Sequence, residues 1–397
     1  MREMKDSGIE WVGKMPVNWR LTKIKYISDI NSGEYIDKDS YDNDGLYPIV
    51  GSNGVIGHCN KYNNKRRVIT TGRVGSVGTA HLVDVAWITD NTLIIEANDL
   101  VRKKYLYYVL PNFDYQFMSS GTAQPLITAS KLKQQAFAIP SVFEQDLIVG
   151  YLDSKCAEID ALTADIEKQI ETLEAYKRSV ITEAVTKGLN PDVEMKDSGT
   201  EWLGMIPSSW EISRIGSVYA LRNTKVSDYD YQPLSVTMKG IVPQLETAAK
   251  TNAHDDRKLV KTGDFAINSR SDRRGSCGIA PMDGSVSLIN TILKPLNKMN
   301  PRYYNWLFHT EAFADEFYKW GHGIVDDLWT TGWQEMKRIL IPFPSMREQE
   351  QIAAFLDDKC AVINNTLIEK QQQLETLAEY KKSLIYEYVT GKKEVPV

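Results

Sequence analysis

Between Gly45 and Val83 the chain has no acidic residue and carries Lys61, Lys65, Arg66, Arg67 and Arg73. Cations clustered without counter-charges are what a phosphate-contacting surface needs. A second cluster falls at a matching place in the second half of the chain, where Arg257, Lys258, Lys261, Arg270, Arg273 and Arg274 oppose only Asp264 and Asp272. One such run reads as a solvated loop. Two at matching places point to a nucleic-acid surface, with Arg257, Arg270, Arg273 and Arg274 in the positive role of the second. Asn63, Asn64, Thr122 and Gln124 offer side chains able to read base edges in the first half. His322, Asp326 and Trp329 lie on a polar loop in the second.

Two related segments must position these clusters. Residues 4–19 read MKDSGIEWVGKMPVNW and 195–210 read MKDSGTEWLGMIPSSW, so Trp11, Pro16 and Trp19 recur as Trp202, Pro207 and Trp210. Each copy runs through a divergent middle to Ile-Pro, Glu-Gln and a long polar helix pattern, a tandem pair rather than a solenoid unit. The middles mix short Val, Ile and Tyr runs with Gly and Asn punctuation, which predicts strands and turns, and helices over 102–110 and in PRYYNWLFHTEAFADEFY. The expected map is a globular region 1–142, helix 143–190, globular region 195–346 and helix 347–391.

The net charge of −5 looks wrong for a nucleic-acid binder. Its distribution corrects that, because residues 144–187 and 348–390 together carry −9 and leave +4 on the rest. Those acidic segments hold the clearest periodicity. Leu152, Ile159, Ile166, Leu173 and Val180 stand seven apart, with Ile148, Leu162, Ile170 and Tyr176 as neighbouring core positions. Leu356, Ile363, Leu377 and Leu384 keep the stripe in the second copy, interrupted by Lys370 and widened by Leu367 and Leu374. A heptad stripe over four repeats predicts a coiled coil, each helix roughly 66 Å long at 1.5 Å per residue. An antiparallel pairing of the two would place the globular regions at opposite ends of a rod.

Other chemistries are not supported. Cys59, Cys156, Cys277 and Cys360 form no C-x-x-C pair, and His58 beside Cys59 lacks two further ligands at metal spacing, so small buried thiols and no metal site are expected. Gly72, Gly75 and Gly78 have the wrong spacing for G-x-G-x-x-G and read as turn glycines. There is no phosphate loop, no Asn- or Asp-Pro-Pro-aromatic tetrapeptide and no nucleophile elbow. PDVEMK at 191–196 only looks like a nuclease motif, since Glu194, Met195 and Lys196 repeat Glu3, Met4 and Lys5 without the Pro-Asp. No run is apolar enough for a membrane span and no signal peptide opens the chain, so a cytoplasmic protein is expected.

Three stretches carry a resemblance. They are SG-x-E-W-x-G-x-x-P-x-x-W at 7–19 and 198–210, SGTAQPLITASKLKQQAFAIP at 120–140 and IPFPSMREQEQIAAFLD at 341–357. With these the whole chain resembles the specificity subunit of type I restriction and modification enzymes. Copy one has IPSVFEQ where the family has a two-proline helix entry, and GHGIVDDLW at 321–329 replaces the GTAQP-like element in the second half. The resemblance implies an α+β architecture of two target recognition domains, each followed by a spacer helix. It also implies a non-catalytic reader of a bipartite double-stranded DNA site. Its partners would be two modification subunits, which methylate adenine with S-adenosylmethionine, and restriction subunits, which use ATP and magnesium, so this chain itself would bind no cofactor. Two other readings stand beside it, a coiled-coil adaptor between proteins and the specificity part of a single-chain restriction enzyme. The second is disfavoured because complete repeats account for both chain ends.

Overall fold

The computed structural model describes residues 2–99, 101–113, 115, 126–246, 254–296, 299–323 and 329–396. They form two compact units, Met1–Glu167 with Gln371–Val397, and Lys168–Lys370. These units do not coincide with the sequence repeats. Each takes in the far half of the other repeat's long helix, because that is where the apolar helix ends are buried.

In the first unit a four-stranded antiparallel sheet runs in the order Ser28–Ser32, Thr92–Ala97, Val68–Gly72, Ala80–Val83. A second sheet holds Gly54–Cys59, Tyr47–Gly51 and Trp87–Ile88. The VITTG strand at 68–72 is buried throughout, the place where β-branched residues fit a pleated, covered surface. Helix Lys103–Val109 gives way at Pro111, whose missing N–H cannot continue it. The core joins Trp19, Tyr105, Phe137 and Leu152 to Leu384, Tyr388 and Val389 of the last helix. The Tyr105 hydroxyl donates to the Val389 carbonyl at 3.1 Å.

The second unit repeats this plan, its sheet ordered Tyr219–Arg222, Asn290–Pro295, Phe265–Asn268, Cys277–Ile279. Strand Arg257–Val260 lies between Lys225–Val226 and Gly284–Ser287, and Leu234–Thr237 with Gly240–Pro243 makes a separate hairpin. The single helix expected over 301–318 is two, Pro301–Phe308 and Glu311–Lys319. Thr310 breaks it by capping the second, its Oγ1 accepting the Phe313 N–H at 3.2 Å. Trp210, Tyr303, Phe308 and Leu356 form the core with Ala184 and Val185, and the Tyr303 hydroxyl donates to the Val185 carbonyl at 2.8 Å.

The long helices span Val142–Lys187 and Met346–Val389. They stop short of the expected 190 and 391 because Gly188 (φ +81°) and Gly391 (φ +72°) take left-handed backbone that ends a helix. The pairing is antiparallel within each unit. In the first, Lys381 Nζ meets Asp160 Oδ1 at 2.5 Å; in the second the equivalent Lys177 meets Asn364 Oδ1 at 2.7 Å. Leu152, Ile159, Ile166, Leu356, Ile363 and Leu384 are buried, whereas Leu173, Val180 and Leu377 are half-buried. Leu162 and Tyr176, expected in the core, are 47% and 48% exposed, and Tyr176 instead offers its ring to Lys359. The seam is therefore a narrow stripe, the coiled-coil geometry. No described helix is long and apolar enough to cross a membrane.

Candidate nucleic-acid interface

In the first unit Lys61, Lys65, Arg66 and Arg67 are exposed on the loop leading into strand Val68–Gly72. The loop is held from within by its asparagines. Asn63 brackets Ile88, donating from Nδ2 to its carbonyl at 2.9 Å and accepting its N–H at 2.8 Å. Asn64 is buried, and its Nδ2 donates to the Arg66 and Asp84 carbonyls at 2.6 and 2.5 Å. These two amides hold the basic loop in shape. Lys65 sits 5.2 Å over the Tyr62 ring, and Arg67 stands 3.9 Å from Asp84 across solvent. Lys103, which the charge reading passed over, donates to the Arg67 carbonyl and adds to this group. The Lys103-Lys104 pair opening a helix was its only sequence signal.

Arg73 does not belong to that group in space. It lies past the other end of the strand, about 20 Å from Arg67 at roughly 3.3 Å per residue. There its N–H donates to the Asn91 carbonyl at 2.9 Å, and its own carbonyl accepts the Ile127 N–H at 2.9 Å. Val74 bridges Leu126 alongside. Thr122 and Gln124 lie outside the described residues. Gly75 and Gly78 take φ of +77° and +89°, and a Cβ on Gly72 would fall 2.0 Å from the Ser76 carbonyl oxygen, so all three glycines serve a tight turn beside Arg73.

The second unit builds the same strand-end frame. The Thr331 N–H donates to the Ser269 carbonyl at 3.0 Å and Arg270 bridges Thr330. His322 and Thr330 exchange backbone hydrogen bonds at 3.0 and 3.1 Å, and Asp326, between them in sequence, lies outside the described residues. Trp329 is itself held, its Nε1 donating to the Tyr318 carbonyl at 2.7 Å, with its ring on Gly321 where a Cβ would lie 2.3 Å away. Arg270, Arg273, His322 and Trp329 are thus brought together, and Arg274, next to them in sequence, pairs with Asp315. Arg257 is not among them. It is 5% exposed, donating from Nε to Ser285 Oγ at 2.9 Å and from Nη2 to the Ser285 carbonyl at 3.0 Å. Burial lowers its pKa, with Asp228 opposing the shift. Lys258 is likewise lowered by burial and donates to the Asn290 carbonyl at 2.7 Å. Sequence charge alone did not separate these two cations from Arg270, because what covers each face of strand 257–260 is set by its neighbours in the sheet and not by its own residues.

The sequence matches the family described as "Type I restriction modification DNA specificity domain" twice, over residues 16–172 and 207–377. It is 22% identical to the EcoDI type I restriction enzyme specificity subunit of Escherichia coli, across 89% of this chain and 86% of that one. It is also 22% identical to the MjaVIII specificity subunit of Methanocaldococcus jannaschii, across 96% and 94%. A chain solved in work on complex assembly and conformational transition of the type I R-M system superposes with a TM-score of 0.71 at 13% identity, covering 96% of this chain and 99% of that one. At such identity the likeness speaks for the fold.

Proposed function

This chain belongs to the family of type I restriction-modification specificity subunits, and from that premise we propose that each unit reads one half of a bipartite duplex DNA target. The subunit directs adenine methylation and DNA cleavage carried out by two modification subunits and by restriction subunits. S-adenosylmethionine, ATP and magnesium belong to those partners, and this chain supplies positioning without catalysis. The observation that carries the reading is the frame built twice. In both units a strand-end segment, Arg73-Val74 or Ser269-Arg270, is pinned to the chain that follows a stretch of divergent sequence.

On this reading the cations take two roles, and their placement supports the division. Arg66 and Arg67, exposed on a held loop, suit phosphate. Arg73 and Arg270, at the strand ends pinned to residues 126–127 and 330–331, suit base edges. In the complex with modification subunit, Arg270→Ala should cost about 1 to 3 kcal/mol in DNA binding and relax one position of one half-site. Arg66→Ala should weaken all sequences alike and lower the salt slope by about 1. Affinity measured against salt, with mapping of methylated adenines, separates the two roles. If removing charge from both clusters leaves affinity and slope unchanged, the reading fails.

A further inference from the structure

Each unit carries a two-residue hairpin tip that the charge and motif patterns did not single out. In the first, Gly51 pairs with Gly54 and leaves Ser52-Asn53 as the loop; in the second, Thr237 pairs with Gly240 and leaves Met238-Lys239. The glycine after each tip has nearly the same backbone, φ +104° at Gly54 and +103° at Gly240. Both tips rest on the outer strand of the four-stranded sheet at equivalent positions. A Cβ on Gly54 would lie 3.7 Å from the His81 ring, and a Cβ on Gly278 would lie 2.8 Å from Gly240 Cα. His81 pairs with Thr70 as Gly278 pairs with Ala266.

Both tips are fixed, and the first adjoins the strand-end frame. Ser52 Oγ and the Arg73 N–H both donate to the Asn91 carbonyl, each at 2.9 Å, and Thr79 Oγ1 donates to the Ser52 carbonyl at 3.0 Å. In the other tip Thr237 Oγ1 donates to the Gly240 carbonyl at 2.8 Å and accepts the Lys239 N–H at 3.1 Å. Gly278 beneath it follows closely on the turn bearing Arg270, Arg273 and Arg274. A lone exposed apolar side chain is ordinary. A Met that is 71% exposed on a hydrogen-bonded tip, mounted like its counterpart, adds nothing to its own core.

Resting on the function proposed above, we propose that the two tips are base-reading elements and that each sits over an A·T pair. The Asn53 amide, a donor and an acceptor side by side, matches the N6 and N7 edge of adenine. The Met238 thioether arm matches the thymine methyl group, the apolar mark of the same pair, and Lys239 beside it reaches phosphate. One mount with exchanged tip residues would let two related units read different sequences without altering their cores.

The test uses the full chain assembled with modification subunit, with methylated sites mapped for wild type, Asn53→Ala and Met238→Ala. Each variant should lose about tenfold or more of its discrimination at one A·T position of one half-site. The other half-site, read by the other unit of the same molecule, should stay intact and so reports a folded subunit. Met238→Leu, which keeps an apolar tip, should retain discrimination. Relaxation only at a G·C position, loss of both half-sites by Met238→Leu, or unchanged half-sites in both alanine variants would overturn the proposal. A wild-type complex that methylates without sequence preference would instead remove the function on which it rests.

Discussion

The two units agree in their buried polar contacts and differ in what they expose. At the helix entries Trp19 Nε1 donates to Glu144 Oε2 at 3.1 Å and Trp210 Nε1 to Glu348 Oε1 at 2.9 Å. Gln145 and Gln349 each bind two backbone groups, accepting from the Arg102 or Asn300 N–H and donating to the Pro140 or Pro344 carbonyl. Asp153 accepts from Lys104 and Tyr108, as Asp357 does from Arg302 and Trp306. A buried polar group costs free energy whenever its partner is lost, which couples the buried Trp19, Trp210, Gln145 and Gln349 to their partners, while the Asp153 and Asp357 contacts are more exposed. An exposed tip or loop carries no such constraint. Shared seats beneath different tips are an arrangement in which specificity could change while the fold stays.

The sharpest way to break that comparison is to exchange residues 20–140 for those of a relative. The expected outcome is a new first half-site and an unchanged second one, read by sequencing methylated DNA. A swap that changed both halves together would mean the units do not read independently.

Next in size is the spacing between half-sites. A heptad inserted into both long helices preserves the seam and lengthens each by about 10.5 Å. Set along B-DNA, that is at most roughly 3 base pairs at 3.4 Å each. Both half-sites should persist and only the unspecified spacer should grow, whereas an unchanged spacer in a folded, active variant would deny the helices any role as a ruler.

The seats themselves should respond alike. Trp19 and Trp210 are each 1% exposed and each bonded to a helix-entry glutamate. Truncation of either to Ala should cost about 3 to 5 kcal/mol in denaturant unfolding. A clearly smaller loss at one of them would show that the shared opening motif has different weight in the two units.

Much of this frame is legible in the sequence because repetition marks it. Trp11, Pro16 and Trp19 recur with their spacing intact, and the heptad stripe follows directly from helix periodicity. The exchange of helix ends between units is not legible, since it depends on Tyr105 and Tyr303 finding the Val389 and Val185 carbonyls far away in the chain. The interface is legible only as charge. Composition put Arg257 with Arg270 and Lys61 with Arg73, while strand geometry buries the first and separates the last pair. Asn63 and Asn64 look like readers by residue type, yet main-chain groups at Ile88, Arg66 and Asp84 engage their amides. The hairpin tips left no mark in periodicity or charge, because a two-residue loop acquires a role from what it rests on.

The smallest effect separates two neighbouring tyrosines. Tyr303 and Tyr105 are equivalent, both fully buried, with desolvation holding their phenols well above the ordinary range. Replacing either with Phe strands a helix-end carbonyl and should cost about 1 to 2 kcal/mol. Tyr304 is also buried, but its hydroxyl has no hydrogen-bond partner among the described residues. The first unit places apolar Leu106 at that position, flanked by the same Tyr105 seat. An unpaired buried hydroxyl opposes folding, so Tyr304→Phe should leave stability unchanged or raise it by up to about 1 kcal/mol. Denaturant melts of the three variants check the contrast. A loss at Tyr304 equal to that at Tyr303 would mean that its hydroxyl is satisfied in solution, and that the second unit has a buried polar contact for which the first has no counterpart.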